Sequence, residues 1–485
     1  MLFLADGFRW VEVTGATGAL NTTSTVCFPL RSDVAQTSTF ASSSDLLDRV
    51  HAMSVNTEEC NMMSLQSDCA WEARTTRRCL IGVLSHRDAS PYPGPHRERL
   101  GYGGDALMTA ESFIHNFDVA AFYEKRVRDY ADAQRANGGF TETAPFVGIE
   151  DAGMGGGSGP IGWQTFMPVA QVWAACGLDL PDHVQHPLAL ARQAWLLKYY
   201  GNLSVLADTY ESAAAYCAFL NAAPASAIEN GLGDWMGLEV RRLQSVRAGL
   251  PAPHVPIVQP SALALTGHGF QAMSYAAFSN VSAALGHAAA AADYATLAAD
   301  VGSLINSRFL DQRTGVYADT AGGWNATQCG QALPLFLGIV PANVTAAAAA
   351  VLGANVAAHG GHLQVGGFGM KWLLESLAAT GQADAAYRIM TATDCACWPG
   401  QMPLFPRARG TVAHLLYADP SFGYMLNGSA NGLGERKHGG GEEGREGGSF
   451  TGVPVLSCSQ CDHGMGVLVR FKQHVLTQPS HVGRG

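Results

Sequence analysis

From Ser42 onward the chain repeats one pattern, apolar residues at helical spacing interrupted by Gly and Pro, and little else in it alternates as a strand would. Ser42, Ser43 and Ser44 offer N-caps, and Leu46, Leu47, Val50 and Met53 follow on one face. The periodicity predicts further helices over 106–136, 164–176, 186–200, 203–221, 262–287, 289–309, 344–358, 367–379 and 383–392. About ten helices with no strands between them must bury their apolar stripes on one another. The fold expected is therefore mainly α, helical pairs in layers such as a toroid of α/α hairpins. Alanine-rich faces at Ala288–Ala292 and Ala346–Ala350 suit close helix packing. Only residues 8–14, Phe-Arg-Trp-Val-Glu-Val-Thr, have a strand's aromatic and β-branched character. Aromatic and acidic residues collect in the loops, so one rim of loops is expected to build a site.

Three segments break the pattern. Residues 70–94 and 395–419 carry Cys, Pro and Arg without a period, and a Gly/Glu-rich run follows Lys437-His438, where disorder is expected. With 485 residues, 47% hydrophobic and 14% charged, the chain has ample material for a large core. The net charge is −10 and the basic residues form no stripe, which argues against nucleic acid, whose phosphates need clustered Lys and Arg. No apolar run approaches the roughly 20 residues of a membrane helix. Met1–Gly7 lacks the basic and apolar regions of a signal peptide. Six Asn-x-Ser/Thr sequons, at Asn21, Asn202, Asn280, Asn325, Asn343 and Asn427, are compatible with a secretory route and leave the localisation open. The 11 scattered cysteines form no disulfide framework, and Cys458-x-x-Cys461-Asp-His463 lacks a second ligand pair, so no metal or other cofactor is expected.

The densest chemistry is in Pro95-His-Arg-Glu-Arg-Leu-Gly-Tyr-Gly-Gly-Asp105. Glu98 sits between two arginines, and Asp105 follows behind Gly103-Gly104. Glycosidic cleavage needs one carboxylic acid to protonate the leaving oxygen and further carboxylates to hold hydroxyls. A structural Arg-Glu-Arg ion-pair cluster has the same spacing, and spacing does not separate the two readings.

Asn61-Met-Met-Ser-Leu-Gln-Ser-Asp68-Cys69, followed by the Pro95–Asp105 stretch, resembles one block of glycoside hydrolase family 78, the α-L-rhamnosidases, cut in two. In that family Ser-Asp-Cys runs directly into Pro-His-Arg-Glu-Arg-Leu-Gly-Tyr-Gly-Gly-Asp. The resemblance continues in Gly231-Leu-Gly-Asp234-Trp235, His362-Leu-Gln-Val-Gly-Gly-Phe-Gly and Ala386-Tyr-Arg-Ile-Met, and spans most of 7–435. It implies an (α/α)₆ barrel over 41–435 and hydrolysis of terminal α-L-rhamnose with inversion. Residues 1–40 would be the end of a preceding β-sandwich and a linker, and 436–485 a tail. Carried over, Glu98 is the general acid, and Asp68, Arg97, Tyr102, Asp105, Asp234 and Trp235 line the rhamnose subsite. Trp163 and His362 are further candidates. The family's general base lies in a Gly-Ala-Thr-Thr-x-Trp-Glu stretch after Pro-Ser-Trp or Pro-Ser-Phe. Here Pro420-Ser-Phe is followed by Ser429-Ala-Asn-Gly-Leu-Gly-Glu435, which makes Glu435 the base while Asn431, Gly432 and Gly434 replace Thr, Thr and Trp. An inverting enzyme holds its acid and base roughly 6.5–9.5 Å apart around one water. Partners would be rhamnose-containing glycosides or polysaccharides; oligomeric state is open.

Removing 70–94 joins Cys69 to Pro95, and removing 395–419 joins Asp394 to Pro420, each restoring a family block. Both segments are therefore read as translated introns or gene-model errors, against the alternative of surface insertions. Two competing functions remain: an inactive, sugar-binding relative, or another α/α-barrel glycosidase or polysaccharide lyase.

Overall fold

The computed structural model describes residues 31–66, 100–171, 203–235, 262–318 and 326–391, with the short pairs 456–457 and 466–467. The strand expected at 8–14, the helix at 186–200, the segments 70–94 and 395–419, and the Cys458–His463 cluster lie outside the described residues.

Thirteen helices account for most of what is described: α1 (Asp45–Asn61), α2 (Gly103–Asn116), α3 (Ala120–Asp132), α4 (Ile161–Gln164), α5 (Phe166–Gln171), α6 (Ser204–Ala222), α7 (Ala225–Ile228), α8 (Leu263–Ala284), α9 (Ala288–Phe309), α10 (Gln328–Leu337), α11 (Thr345–Ala358), α12 (Gly367–Ala379) and α13 (Ala383–Thr391). Among the described residues the strands are four dipeptides. Leu310–Asp311 (β1) pairs antiparallel with Val316–Tyr317 (β2), and Leu456–Ser457 (β3) with Gly466–Val467 (β4). The chain is mainly α, as the periodicity predicts.

Ser44 caps α1, its side chain accepting from the Leu47 amide, so the serine run before the first apolar face does what its position suggests. The helix expected as continuous over 106–136 breaks at Phe117–Val119. There Phe117 is buried in extended conformation and bridges Gln36, and Asn116 donates to Glu58, so tertiary contacts override local propensity. Helix α10 was not expected. Its Gly330 and Pro334 lower helix propensity, yet Thr327 caps it and left-handed Gly338 (φ 65°) ends it.

Burial sorts the helices into two rings. Helix α8 buries 17 of 22 residues, α10 9 of 10 and α5 all 6, whereas the outer partners α9 and α11 bury 6 of 22 and 4 of 14. The inner helices touch in sequence, α2 with α5, α5 with α8, α8 with α10, α10 with α12, and α12 again with α2. Four of them, α2, α8, α10 and α12, line a small cavity together. Among the described residues five helices take the inner position (α2, α5, α8, α10, α12) and six the outer (α1, α3, α6, α9, α11, α13). Outer α1 packs on both α2 and α13, drawing the two ends of the described ring together. No helix among the described residues is long and apolar enough to cross a membrane.

Candidate active site

The N-terminal ends of α2, α4 and α12 meet the loop 229–235, and here five of the expected site residues converge. Tyr102 is the residue before α2, extended (φ −69°, ψ 135°), buried, and bridged to Thr143. Its loop is held from below by a buried cation. Arg126 donates from Nη1 to the Ala144 carbonyl (2.7 Å) and from Nη2 to that of Gly101 (3.0 Å), and the Tyr130 hydroxyl adds a bond to Gly101 at 3.1 Å. The Gly103 amide donates to the Glu142 carbonyl at 3.2 Å.

Asp105 lies in the first turn of α2, where the helix dipole favours a carboxylate, and it is buried. Gln66 reaches the same turn. Its Nε2 donates to Thr109 Oγ1 at 2.5 Å and to the Asp105 carbonyl at 3.4 Å, and its Oε1 accepts from the Tyr123 hydroxyl at 2.8 Å. Gln66 thereby ties the chain that leads to Asp68 onto the turn that carries Asp105.

Gly103 and Gly104 lie flat against Trp163: a Cβ on Gly104 would stand 2.5 Å from Cε2 of the indole. Trp163 is 2% exposed, and its indole N–H has no hydrogen-bond acceptor among the described residues. Its ring meets Trp235 edge to face at 5.9 Å and Phe368 at 5.7 Å. Trp235 is half-buried.

Asp234 is wholly buried, and the first turn of α12 closes over its carboxylate. Oδ2 accepts from the Gly366 amide and Oδ1 from the Gly369 amide, both at 2.7 Å. Burial pushes its pKa up to about 6, against the lowering effect of those amides. One residue on, the Trp235 carbonyl accepts from the Gly367 amide at 2.9 Å. Asp234 thus docks the loop on α12, and Trp235 stands where the docking leaves it.

His362 is held by other contacts. It is buried, its carbonyl accepts from Gln328 Nε2 (2.9 Å), and Gln328 Oε1 accepts from the Gln364 amide (2.8 Å). The structure therefore brings together Tyr102, Asp105, Trp163, Asp234 and Trp235 and places His362 upstream on the segment that ends at Gly366. Asp68, Arg97, Glu98 and Glu435 lie outside the described residues. Gln66, Arg126 and Gln328 were not foreseen, because each is an ordinary polar residue whose partners lie far away in sequence.

Comparison with known proteins bears on the same region. Residues 74–175 and 187–402 match the model of the family described as the bacterial alpha-L-rhamnosidase 6 hairpin glycosidase domain. The match takes in most of 70–94 and the first residues of 395–419. An alpha-L-rhamnosidase of Streptomyces avermitilis is 26% identical over 400 residues, 82% of this chain and 31% of that protein. Among solved structures, the Streptomyces avermitilis alpha-L-rhamnosidase complexed with L-rhamnose has a TM-score of 0.53 and 22% identity, covering 75% of this chain and 28% of that one. The native alfa-L-rhamnosidase from Aspergillus terreus has a TM-score of 0.57 and 17% identity, covering 83% and 40%. These likenesses establish a shared fold, and the chain spans less than half the length of each of these relatives.

Proposed function

Because the chain belongs to the bacterial α-L-rhamnosidase six-hairpin glycosidase family, we propose that it hydrolyses terminal α-L-rhamnose from rhamnosides with inversion, using Glu98 as general acid and Glu435 as general base. The observation that carries this reading is the meeting of the Trp163 ring with that of Trp235 and with Gly104, in the turn that also carries Tyr102 and the buried Asp105, so that three separate parts of the chain converge. A sugar is recognised by that pairing, apolar rings against its C–H face and carboxylates on its hydroxyls. The buried Trp163 N–H adds a donor that a hydroxyl would satisfy; left unpaired, such a group costs about 1–3 kcal/mol. Asp68 and Arg97 complete the subsite in this reading, with Asp234 setting the Trp235 loop and His362 at its margin.

Glu98 must hold its proton near neutral pH. Two arginines flank it in sequence and oppose that; in this reading Asp105 and Asp68 supply the like charge that favours it. With the proton delivered to the leaving oxygen, Glu435 would deprotonate the attacking water on the opposite face. No cofactor takes part in this scheme. The substitutions at Asn431, Gly432 and Gly434 favour a second reading, in which the chain binds rhamnose without turning it over.

The test compares p-nitrophenyl α-L-rhamnoside hydrolysis by the full chain and by a version lacking 70–94 and 395–419, with the product anomer read by proton NMR. Hydrolysis with inverted product supports the proposal. Activity in the trimmed version alone supports reading both segments as translated introns. Rhamnose binding without hydrolysis by either selects the second reading.

A further inference from the structure

The loop that presents Trp235 is fastened at two ends, and only one of them is the Asp234 dock. At the other end Glu229 follows α7 and turns its carboxylate toward α8 and α9. Arg308 of α9 grips it at two points, Nη1 to Oε1 at 2.5 Å and Nη2 to Oε2 at 3.3 Å. His268 Nε2 of α8 lies 3.3 Å from the same Oε1. The opposite nitrogen of His268 faces Gln271 Oε1 at 3.0 Å, Gln271 Nε2 donates to the Tyr275 hydroxyl at 3.2 Å, and that hydroxyl donates to Asn221 of α6 at 2.7 Å. Glu229 is therefore the terminus of a network that reaches across three helices. Its pKa is lowered, first by the Arg308 hydrogen bond and then by that from His268, so the group is a carboxylate at neutral pH. Directly before it, the Ile228 carbonyl packs so close to Gly267 of α8 that no side chain fits there.

Between the two fastenings the chain runs Asn230-Gly231-Leu232-Gly233, with Gly233 at φ +62°. Two glycines in four residues make this stretch soft, because glycine has the most backbone freedom to lose. A loop of that composition does not hold one shape by itself, and its conformation has to be imposed from both ends.

We propose that Glu229, clamped by Arg308 and His268, is a positioning residue that sets the place of Trp235 against Trp163. It touches no substrate and acts through the loop. That this placement serves a sugar subsite rests on the function proposed above; the clamp itself does not.

The test uses the full chain labelled with 5-fluorotryptophan, the Trp235 fluorine line being assigned by its loss in Trp235→Phe. In ligand-free protein, Glu229→Ala is expected to shift or broaden the Trp235 line while the Trp372 line, from the far side of Phe368, stays in place. Glu229→Gln, which keeps an acceptor for Arg308, should restore much of the original line. Affinity for L-rhamnose should fall about fivefold in Glu229→Ala, as for loss of one partly exposed ion pair. If Glu229→Ala does not fold, Arg308→Lys, which keeps the charge and loses the two-point grip, carries the same measurement. A Trp235 line unchanged in a folded clamp variant overturns the inference. Saturating L-rhamnose that leaves the Trp235 line of the parent protein unmoved overturns the subsite reading instead, and the ligand-free spectra then still decide the clamp.

Discussion

Replacing Asp234 by Ala tests the docking of the Trp235 loop on α12 through its dependence on pH. Two opposing influences act on this carboxyl. Burial penalises its charge, the Gly366 and Gly369 amides favour it, and burial wins, leaving a pKa of about 6 against an ordinary 3.8. A carboxyl whose folded pKa is raised stabilises the fold fully below its unfolded pKa and loses that contribution as pH rises through the folded one. With those two values, linkage gives roughly 1 kcal/mol less stabilisation at pH 7 than at pH 5. At pH 5, Asp234→Ala strands two buried amide donors, each worth about 1–3 kcal/mol, so the variant should be about 2–6 kcal/mol less stable. At pH 7 the gap should be smaller by the linkage amount. Urea unfolding of both proteins at both pH values, followed by far-UV circular dichroism, measures this, and contributions from other groups cancel in the difference. A wild-type advantage that grows from pH 5 to pH 7 would mean that the amides outweigh burial. A difference below about 0.5 kcal/mol at both pH values would mean that the amides find other acceptors, and either result refutes the reasoning.

Other contacts around the site give sharp expectations. Gly104→Ala pushes a methyl into the Trp163 ring and should cost about 1–3 kcal/mol with a changed near-UV tryptophan spectrum; an unchanged spectrum and melting point would show that the contact relaxes freely. Arg126→Ala removes two charge-assisted bonds to the carbonyls of Ala144 and Gly101, and urea midpoints should report a loss of about 3–5 kcal/mol. Tyr123→Phe leaves the buried Gln66 Oε1 without its donor and should cost about 1–3 kcal/mol, whereas a neutral result would mean that water replaces the hydroxyl.

The helical architecture was legible because its signal is periodic and local. Nine of the expected helical stretches are present as helices among the described residues, one of them split in two. What escaped was non-local. Helix α10 is built on a sequence with Gly330 and Pro334, and forms because Gln328 and Gln331 bond the His362 and Tyr317 carbonyls and the rest is packed inside the ring. The break at Phe117 likewise depends on Gln36 and Glu58, 81 and 59 residues away. At the candidate site, Tyr102, Asp105, Asp234 and Trp235 were singled out by motif resemblance and Trp163 by its place beside glycine. The residues that aim them were not. Glu229 meets Arg308 across 79 positions, and Gln66 meets Tyr123 across 57. Neither pair carries a local pattern that distinguishes it from a solvated surface group.

The proposed activity is tested most directly by Glu98→Gln in the full chain, assayed for rhamnose release from methyl α-L-rhamnoside, whose alcohol leaving group depends on protonation, beside L-rhamnose binding by calorimetry. Glutamine preserves the shape of the group and removes its proton. Turnover is expected to fall by about 10²–10⁴-fold while L-rhamnose binds nearly as before. Hydrolysis by Glu98→Gln at the parent rate would rule out Glu98 as the general acid.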